Sequence, residues 1–404
     1  MKDLEKKART YALKNAVAYD GVAREGSVIS ALFNEGLKPN EVKKYYKKIA
    51  EVILSVNSLS PEEQKKEFSK LEARVSHRET REGLPELPNA KKGKVIMRFA
   101  PSASGPLHIG HIISNMASSM YVKKYGGKFY IRIEDTNPKK VDSNAYAKIK
   151  EDCNWIFGNV HEYIIQSDRI PVYYKYAEEL IKKKAAYVCT CSQEKFKKYV
   201  DSQKECPCRK IDVKDNILRW NRMLGINKPV FNEGEAVLRF KSNMKDKNPA
   251  MRDFPLARVN LAKHPRQGCK YRVWPLMNLS VTADDIEYKM THVIRGKDHK
   301  DNAERQRKIY RVLGIEKKFP WTYFVGRVKF SDLPLSKRKI MAALDEGEFE
   351  NWDDPRLPTI SSLRKRGYKP KAFVKLTEQR GLSEVDRVMS SQDFFKLLDT
   401  FNRG

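Results

Sequence analysis

Two histidines set three apart, His108 and His111, close the run Met97-Arg-Phe-Ala-Pro-Ser-Ala-Ser-Gly-Pro-Leu-His-Ile-Gly-His111. The run reads as a loop that leaves a parallel strand and enters a helix. Such a loop presents unpaired amides and a positive dipole end, which suit the phosphates of a nucleotide. Gly105 and Gly110 permit close approach. Hydrogen-bonding imidazoles at the helix start can stabilise the charge that builds on a triphosphate when its α-phosphorus is attacked. Far downstream, Leu335-Ser-Lys-Arg-Lys339 offers Lys337, an ammonium on a flexible stem. Standing alone, the stretch reads as a solvated basic turn. The two segments together point to activation by ATP.

A second constellation is Cys189-Thr-Cys191 and Cys206-Pro-Cys208. Four thiolates in two close pairs can complete a closed tetrahedral zinc site that pins a poorly cored segment. Cys153 and Cys269 read as ordinary reduced thiols. With 6 cysteines in 404 residues, metal ligation in a reducing cytoplasm is expected rather than a disulfide framework.

The formal charge is +29, from 80 Lys and Arg against 51 Asp and Glu. That excess favours a large polyanion over a small acidic metabolite, with nucleic acid leading. Basic and aromatic residues alternate in Lys195-Phe-Lys-Lys-Tyr199 and Arg219-Trp-Asn-Arg222. Such stretches either track a phosphate backbone while a ring stacks on a base, or form an amphipathic helix with Phe196 and Tyr199 buried. The 40% apolar content fits a globular protein. The N-terminus shows no secretion pattern, and no apolar run is long enough to span a bilayer.

These residues need elements to hold them. Apolar spacing in Tyr11 to Val17 and Val42 to Val56, with a cap at Ser60-Pro-Glu-Glu63, predicts an N-terminal helical module over 1–88. The proline-rich Leu84 to Gly93 reads as a linker. A strand at Val95 to Ala100, a helix at Ile109 to Tyr125 and a strand at Phe129 to Glu134 make a βαβ unit. The same grammar returns as strand Thr291 to Gly296, helix Asp301 to Leu313 and strand Tyr323 to Phe330. Predicted boundaries are 94–185 for the first half of a Rossmann-like domain, 186–270 for an insertion holding the cysteine pairs, 271–340 for the second half, and 341–404 for a helical tail. That tail has helices at Ile360 to Arg366 and Pro370 to Arg380 after the irregular Trp352 to Pro358.

The His108 and His111 run, with Arg132-Ile-Glu-Asp-Thr-Asn-Pro138, Val293-Ile-Arg-Gly-Lys-Asp-His299, Leu335-Ser-Lys-Arg338 and Trp352-Asp-Asp-Pro-Arg-Leu-Pro-Thr359, resembles the class I aminoacyl-tRNA synthetases. The likeness is to the glutamate and glutamine branch in its archaeal and eukaryotic style, and it runs from Thr10 to Asn402. It implies an α/β fold: a doubly wound parallel sheet with an inserted acceptor-binding domain and an N-terminal helical module. It also implies that Pro101, Gly105, His108, Gly110, His111, Ser336 and Lys337 hold ATP with magnesium, and that His108, His111 and Lys337 serve catalysis. Arg98 then pairs with the amino acid's side-chain carboxylate, Ser102 and Glu134 hold its amino group, and Arg295 is a further pocket arginine. Pro334 stands where the second signature usually begins with lysine, and Met277 where much of the family has a tyrosine. Loss of that hydroxyl weakens the choice of glutamate over glutamine, while two pocket arginines favour an anionic side chain.

The resemblance implies glutamate–tRNA ligation: ATP-dependent formation of glutamyl-adenylate, then transfer to the terminal adenosine of tRNA, with tRNA bound first. A glutaminyl enzyme is the nearest alternative, and a catalytically silent tRNA-binding subunit the next. Relatives continue into β-barrels that bind the anticodon. Their place beyond Gly404 is expected to be filled by a second polypeptide or by the rest of a longer chain, unless acceptor-stem contacts suffice.

Overall fold

A computed structural model describes residues 3–19, 21–72, 75, 83–333 and 337–403, with backbone alone for residues 39 and 337–339. The chain forms two compact units, Met1–Arg81 and Glu82–Gly404.

The first unit is helical, built from α1 (Leu4–Ala18), α2 (Glu25–Asn34), α3 (Val42–Asn57) and α4 (Pro61–Leu71). Ile49, Ile53 and Val56 recur at helical spacing on α3 and share a core with Leu4, Ala8, Ala12, Leu13 and Ala16 of α1. The Ser60 cap forms as its residues predict. Glu63 N donates to Ser60 Oγ at 3.3 Å, and Ser60 N donates to Glu63 Oε2 at 2.8 Å.

The second unit carries a parallel sheet. Strand β1 (Ile96–Phe99) leads to α5 (Ile109–Tyr125), β2 (Lys128–Ile133), α6 (Ala145–Phe157), β3 (Glu162–Ile165) and α7 (Ile170–Lys182). Ile96 pairs with Lys128 and Tyr130 with Glu162, both in parallel register. Phe129 to Ile133 are buried without alternation, as a strand covered on both faces should be.

An antiparallel insertion follows: β4 (Ala186–Cys189), α8 (Gln193–Asp201), α9 (Val213–Leu224), β5 (Val237–Phe240), β6 (Pro255–Val259) and β7 (Val273–Pro275), its strands paired in that order. Its core holds Trp220, Phe254 and Trp274. Trp220 is wholly buried and Phe196 nearly so. The alternating basic and aromatic stretches therefore present cations to solvent while these two rings serve packing.

The chain then returns through α10 (Met277–Glu287), β8 (His292–Gly296), α11 (Lys300–Val312) and β9 (Trp321–Val325), with β8 and β9 parallel. Thr291 N donates to Ile96 O at 3.0 Å and Ile96 N to Thr291 Oγ1 at 2.9 Å, so β8 lies beside β1. The order β3-β2-β1 is thus continued on the other side by β8-β9. Connections reverse between β1 and β8, which opens a crevice at the strands' C-terminal ends.

The expected strand over Tyr323 to Phe330 is two strands, β9 and β10 (Val328–Phe330). The break falls at Gly326, whose N–H donates to Ser383 O at 2.8 Å; a Cβ there would meet Val385 O at 2.2 Å. That close approach turns β10 away to pair with a later strand. After α12 (Lys337–Asp345), α13 (Ile360–Lys365) and α14 (Pro370–Arg380) come β11 (Arg387–Met389), the partner of β10, and α15 (Ser391–Arg403). Phe394 and Leu398 of α15 enter the same core as β1 and α5.

Leu84 to Pro88 is no free linker. Leu87 is buried in the second unit's core, Tyr121 Oη donates to Pro85 O at 2.7 Å, and Pro88 O lies 2.9 Å from His292 Nε2. A proline-rich segment lacks donors, but its carbonyls remain free to accept. Among the described residues, no helix is long and apolar enough to cross a membrane.

Candidate active site

Loop 100–107 leaves β1 and is tied to the end of β2: Glu134 N donates to Pro101 O at 2.8 Å and Ala103 N to Glu134 O at 3.1 Å. Ser102 and Glu134 face each other as a parallel bridge. Gly105 has φ +147°, a region that side chains with a Cβ avoid.

The helix start departs from the expected amide cradle. His108 N donates to His111 Nδ1 at 3.1 Å, Ile109 N to Pro358 O at 2.9 Å, Gly110 N to His108 Nδ1 at 3.2 Å and His111 N to His108 O at 2.9 Å. All four amides are engaged within the chain. A neutral imidazole that accepts at Nδ1 carries its proton on Nε2. Burial holds His108 in the neutral form, with its pKa brought down to about 4, and burial reinforced by His108 does the same for His111. The ring centroids lie 3.8 Å apart. The ring protons of both histidines therefore sit on Nε2, while the backbone amides at this helix start are already engaged within the chain.

Pro358 belongs to the Trp352 to Thr359 segment. Ile360 N returns a bond to Leu107 O at 3.0 Å. Thr359 Oγ1 donates to Trp352 O at 2.9 Å, and Arg356 clasps Asp354. The proline-rich motif is thus a brace on the histidine loop.

Across the crevice lies an ion network. Arg98, 4% exposed, binds Asp285 through Nε at 2.9 Å and Nη2 at 3.1 Å. Arg132, wholly buried, reaches Asp285 at 2.5 Å, Glu134 at 3.2 Å and Asp284 at 3.8 Å. Arg169 holds Asp284 at 2.8 Å. Burial drives the Asp285 carboxyl upward, but Arg98 and Arg132 outweigh it and hold its pKa at about 2.

Arg295 stands apart from these pairs. Its Nη1 donates to Gln306 Oε1 at 2.9 Å, Nε is buried without an acceptor, and it has no ion pair among the described residues. Burial first, then Arg98, pull its pKa down to about 9. Four guanidiniums face three carboxylates here, and the excess charge sits on Arg295. An anion arriving from outside meets a ready cation. Met277 opens α10 next to Asn278, whose Oδ1 lies 3.5 Å from the Nε2 of Gln306.

The structure brings Arg98 and Glu134 into one network, with Arg295 outside it but within electrostatic reach, and Ser102 beside Glu134 on the loop that ends at the histidines. Ser336 lies outside the described residues. Lys337 starts α12, and only its backbone is described. Sequence reasoning passed over Asp284, Asp285 and Gln306, and gave Arg132 no role. The available signal was Asp284-Asp285 inside Leu279 to Asp285, a helical stretch buried throughout.

The cysteines converge in the insertion, away from the ion network. Their sulfurs lie within 4.8 Å of one another, with Cys191 to Cys206 at 3.3 Å, Cys189 to Cys206 at 3.7 Å and Cys191 to Cys208 at 4.0 Å. A tetrahedral zinc with bonds near ~2.3 Å separates its sulfurs by roughly 3.8 Å. The donor set fits that ion in type, number and spacing. Cys153 and Cys269 are unpaired thiols, as expected.

A sheet switching order beside a histidine-capped helix is the architecture of a nucleotide-handling α/β enzyme. Residues 94–400 match the family "tRNA synthetases class I (E and Q), catalytic domain", and the chain belongs to that family. Its relatives include the glutamate–tRNA ligase of Methanothermobacter marburgensis, 42% identical over 96% of this chain and 69% of that protein. The glutamate–tRNA ligase of Methanocaldococcus jannaschii is also 42% identical, over 98% of this chain and 70% of that protein. A crystal structure of a glutamate tRNA ligase from Elizabethkingia meningosepticum in complex with its amino acid shares the fold. Its TM-score is 0.54 at 20% identity, covering 77% of this chain and 69% of that one. The expected family and its Rossmann-type α/β fold are borne out.

Proposed function

We propose that the chain is a glutamate–tRNA ligase whose crevice between β1 and β8 activates glutamate with ATP and passes it to tRNA. The observation that carries this reading is Arg295, a half-buried cation with no ion pair among the described residues, within electrostatic reach of Glu134 and Arg98. Glutamate supplies the missing negative charge through its side chain. Its ammonium is drawn to Glu134 and Ser102, and Arg98 remains fixed by Asp285 with Nη1 free of that clamp.

In the first step, a glutamate α-carboxylate oxygen attacks the α-phosphorus of ATP, and the bond to the bridging oxygen breaks. The Nε2–H groups of His108 and His111 stabilise the charge that grows on the phosphates, and Lys337 accompanies pyrophosphate as it leaves. Magnesium supplies further charge neutralisation on the triphosphate. In the second step, the terminal adenosine hydroxyl of tRNA attacks the activated carbonyl, and AMP departs. Positioning and electrostatics suffice, so no protein nucleophile is needed.

Structural zinc on Cys189, Cys191, Cys206 and Cys208 holds the acceptor-binding insertion, and the enzyme acts in the cytoplasm. The expected helical module over 1–88 shortens to the unit ending at Arg81, since Leu87 packs in the second unit, and the expected insertion over 186–270 extends through β7 to Pro275; 94–185 and the chain from 276 to 340 are the catalytic halves and 341–404 the region that meets the tRNA stem. Incubating the purified chain with labelled glutamate, ATP and total tRNA tests the reading. Glutamyl-tRNA is expected, and its absence at every chain concentration rejects a self-sufficient ligase. Charging that appears only with a cell extract would instead support a second polypeptide bearing the anticodon-binding region.

A further inference from the structure

No step described above uses the hairpin that joins β6 to β7, yet it packs against the strand end that carries Glu134. His264 is its informative residue. Most side chains of this turn are exposed, but His264 is wholly buried, and its ring stacks on Trp274 with centroids 4.9 Å apart. Its main chain closes the turn: His264 N donates to Gly268 O at 2.9 Å and Gly268 N to His264 O at 2.8 Å.

Both ring nitrogens are committed. Nδ1 accepts from Arg266 N at 3.1 Å and Gln267 N at 3.2 Å, so the proton sits on Nε2, which donates to Asp135 O at 2.9 Å. Asp135 directly follows Glu134 and is 1% exposed. Its carboxylate accepts from Ser167 N at 2.7 Å and from Tyr146 Oη at 2.6 Å. At the foot of the same hairpin, Asn260 places Nδ2 3.4 Å from Asn137 Oδ1. Glu134 is thus held from two directions. Loop 100–107 engages its own N–H and C=O through Pro101 O and Ala103 N, and His264 engages the carbonyl of the next residue. With the main chain anchored at Glu134 and again at Asp135, the Cα–Cβ bond of Glu134 has a set direction. A binding group is held to its productive geometry by such supporting bonds.

We propose that His264 is a positioning residue for the amino-acid pocket: by donating from Nε2 to the Asp135 carbonyl, it aims the Glu134 carboxylate at the ammonium of the substrate. The proposal rests on the ligase reading, in which Glu134 receives that ammonium.

Two substitutions separate the ring's two bonds. In His264→Gln the amide nitrogen reaches the place of Nε2 and keeps the donor to Asp135. In His264→Asn the amide oxygen takes the place of Nδ1 and keeps only the acceptor that closes the turn. The full chain and both variants are compared in pyrophosphate exchange with glutamate, ATP and total tRNA, and in hydrogen exchange over residues 132–136. His264→Asn should raise KM for glutamate about tenfold or more and leave KM for ATP within about twofold, because a small misplacement of a binding group is costly. It should also speed hydrogen exchange at the Glu134 amide. His264→Gln should stay close to the unchanged chain in all three. The reverse order, with His264→Gln impaired and His264→Asn intact, assigns His264 to the turn alone and overturns the proposal. Equal rises in KM for glutamate and ATP, or an unaltered KM for glutamate in His264→Asn, overturn it as well. If the unchanged chain carries out no pyrophosphate exchange, the ligase reading falls, and hydrogen exchange alone decides: faster exchange at Glu134 in His264→Asn than in His264→Gln upholds the positioning role, and equal rates reject it.

Discussion

Arg98 grips both carboxylate oxygens of Asp285, at 2.9 and 3.1 Å, across 187 residues of chain. The pair joins β1 to α10 and fixes a guanidinium at the crevice edge. Removing one partner of such a buried pair leaves the other charge uncompensated, which costs about 3–5 kcal/mol. Asp285→Asn should lose that much stability in denaturant titrations and raise KM for glutamate more than it lowers kcat. Stability within about 0.5 kcal/mol of the unchanged chain would show that the pair is dispensable.

Arg295 provides the sharper test of substrate choice. Arg295→Gln keeps a donor toward Gln306 but removes the charge. Loss of a buried charge-assisted contact to substrate amounts to about 2–5 kcal/mol, so KM for glutamate should rise on the order of a hundredfold or more. KM for ATP should stay within about twofold, since the site proposed for the phosphates is at the histidines. An equal rise for both substrates would place Arg295 in general folding rather than in the pocket.

The histidines make stability depend on pH. His108 is held neutral, with its pKa lowered to about 4 from the ordinary value of 6.5. The unfolded chain therefore binds more protons than the folded one between these values. The contribution is complete above about pH 6.5 and is lost as pH falls toward 4. His108→Asn should flatten the decline in melting temperature between pH 7 and pH 4.5. A variant that declines as steeply as the unchanged chain would mean that His108 is charged in the fold.

Cys206 has sulfur neighbours at 3.3 and 3.7 Å. Elemental analysis of natively purified chain should find about one zinc per molecule, and Cys206→Ser markedly less. Because metal binding and folding of such a site are coupled, chelation should expose the insertion to proteolysis while the parallel sheet stays protected. Clearly substoichiometric zinc in the unchanged protein would contradict the four-cysteine site.

What the sequence disclosed was local. Strand, loop and helix around His108 were legible because β1, α5 and β2 follow hydrophobic runs separated by glycines, and the cysteine pairs were legible from their spacing. The pairing of Arg98 and Arg132 with Asp285 was not, because periodicity carries no information about which distant charges meet. The amides at the start of α5 were misread for the same reason. Pro358, 249 residues after Ile109, supplies an acceptor that only the folded chain reveals. The break at Gly326 and the packing of Leu87 likewise come from neighbours brought in by tertiary structure.

Pyrophosphate exchange reports at once on amino-acid choice and on the part played by the histidines. Purified chain with ATP, magnesium and total tRNA is given glutamate or glutamine, with His108→Asn run alongside. Exchange is expected with glutamate, little with glutamine, and a fall of about a hundredfold in the variant as transition-state donors are lost. Exchange with glutamine at the glutamate rate, or an unchanged rate in His108→Asn, would contradict the proposed mechanism.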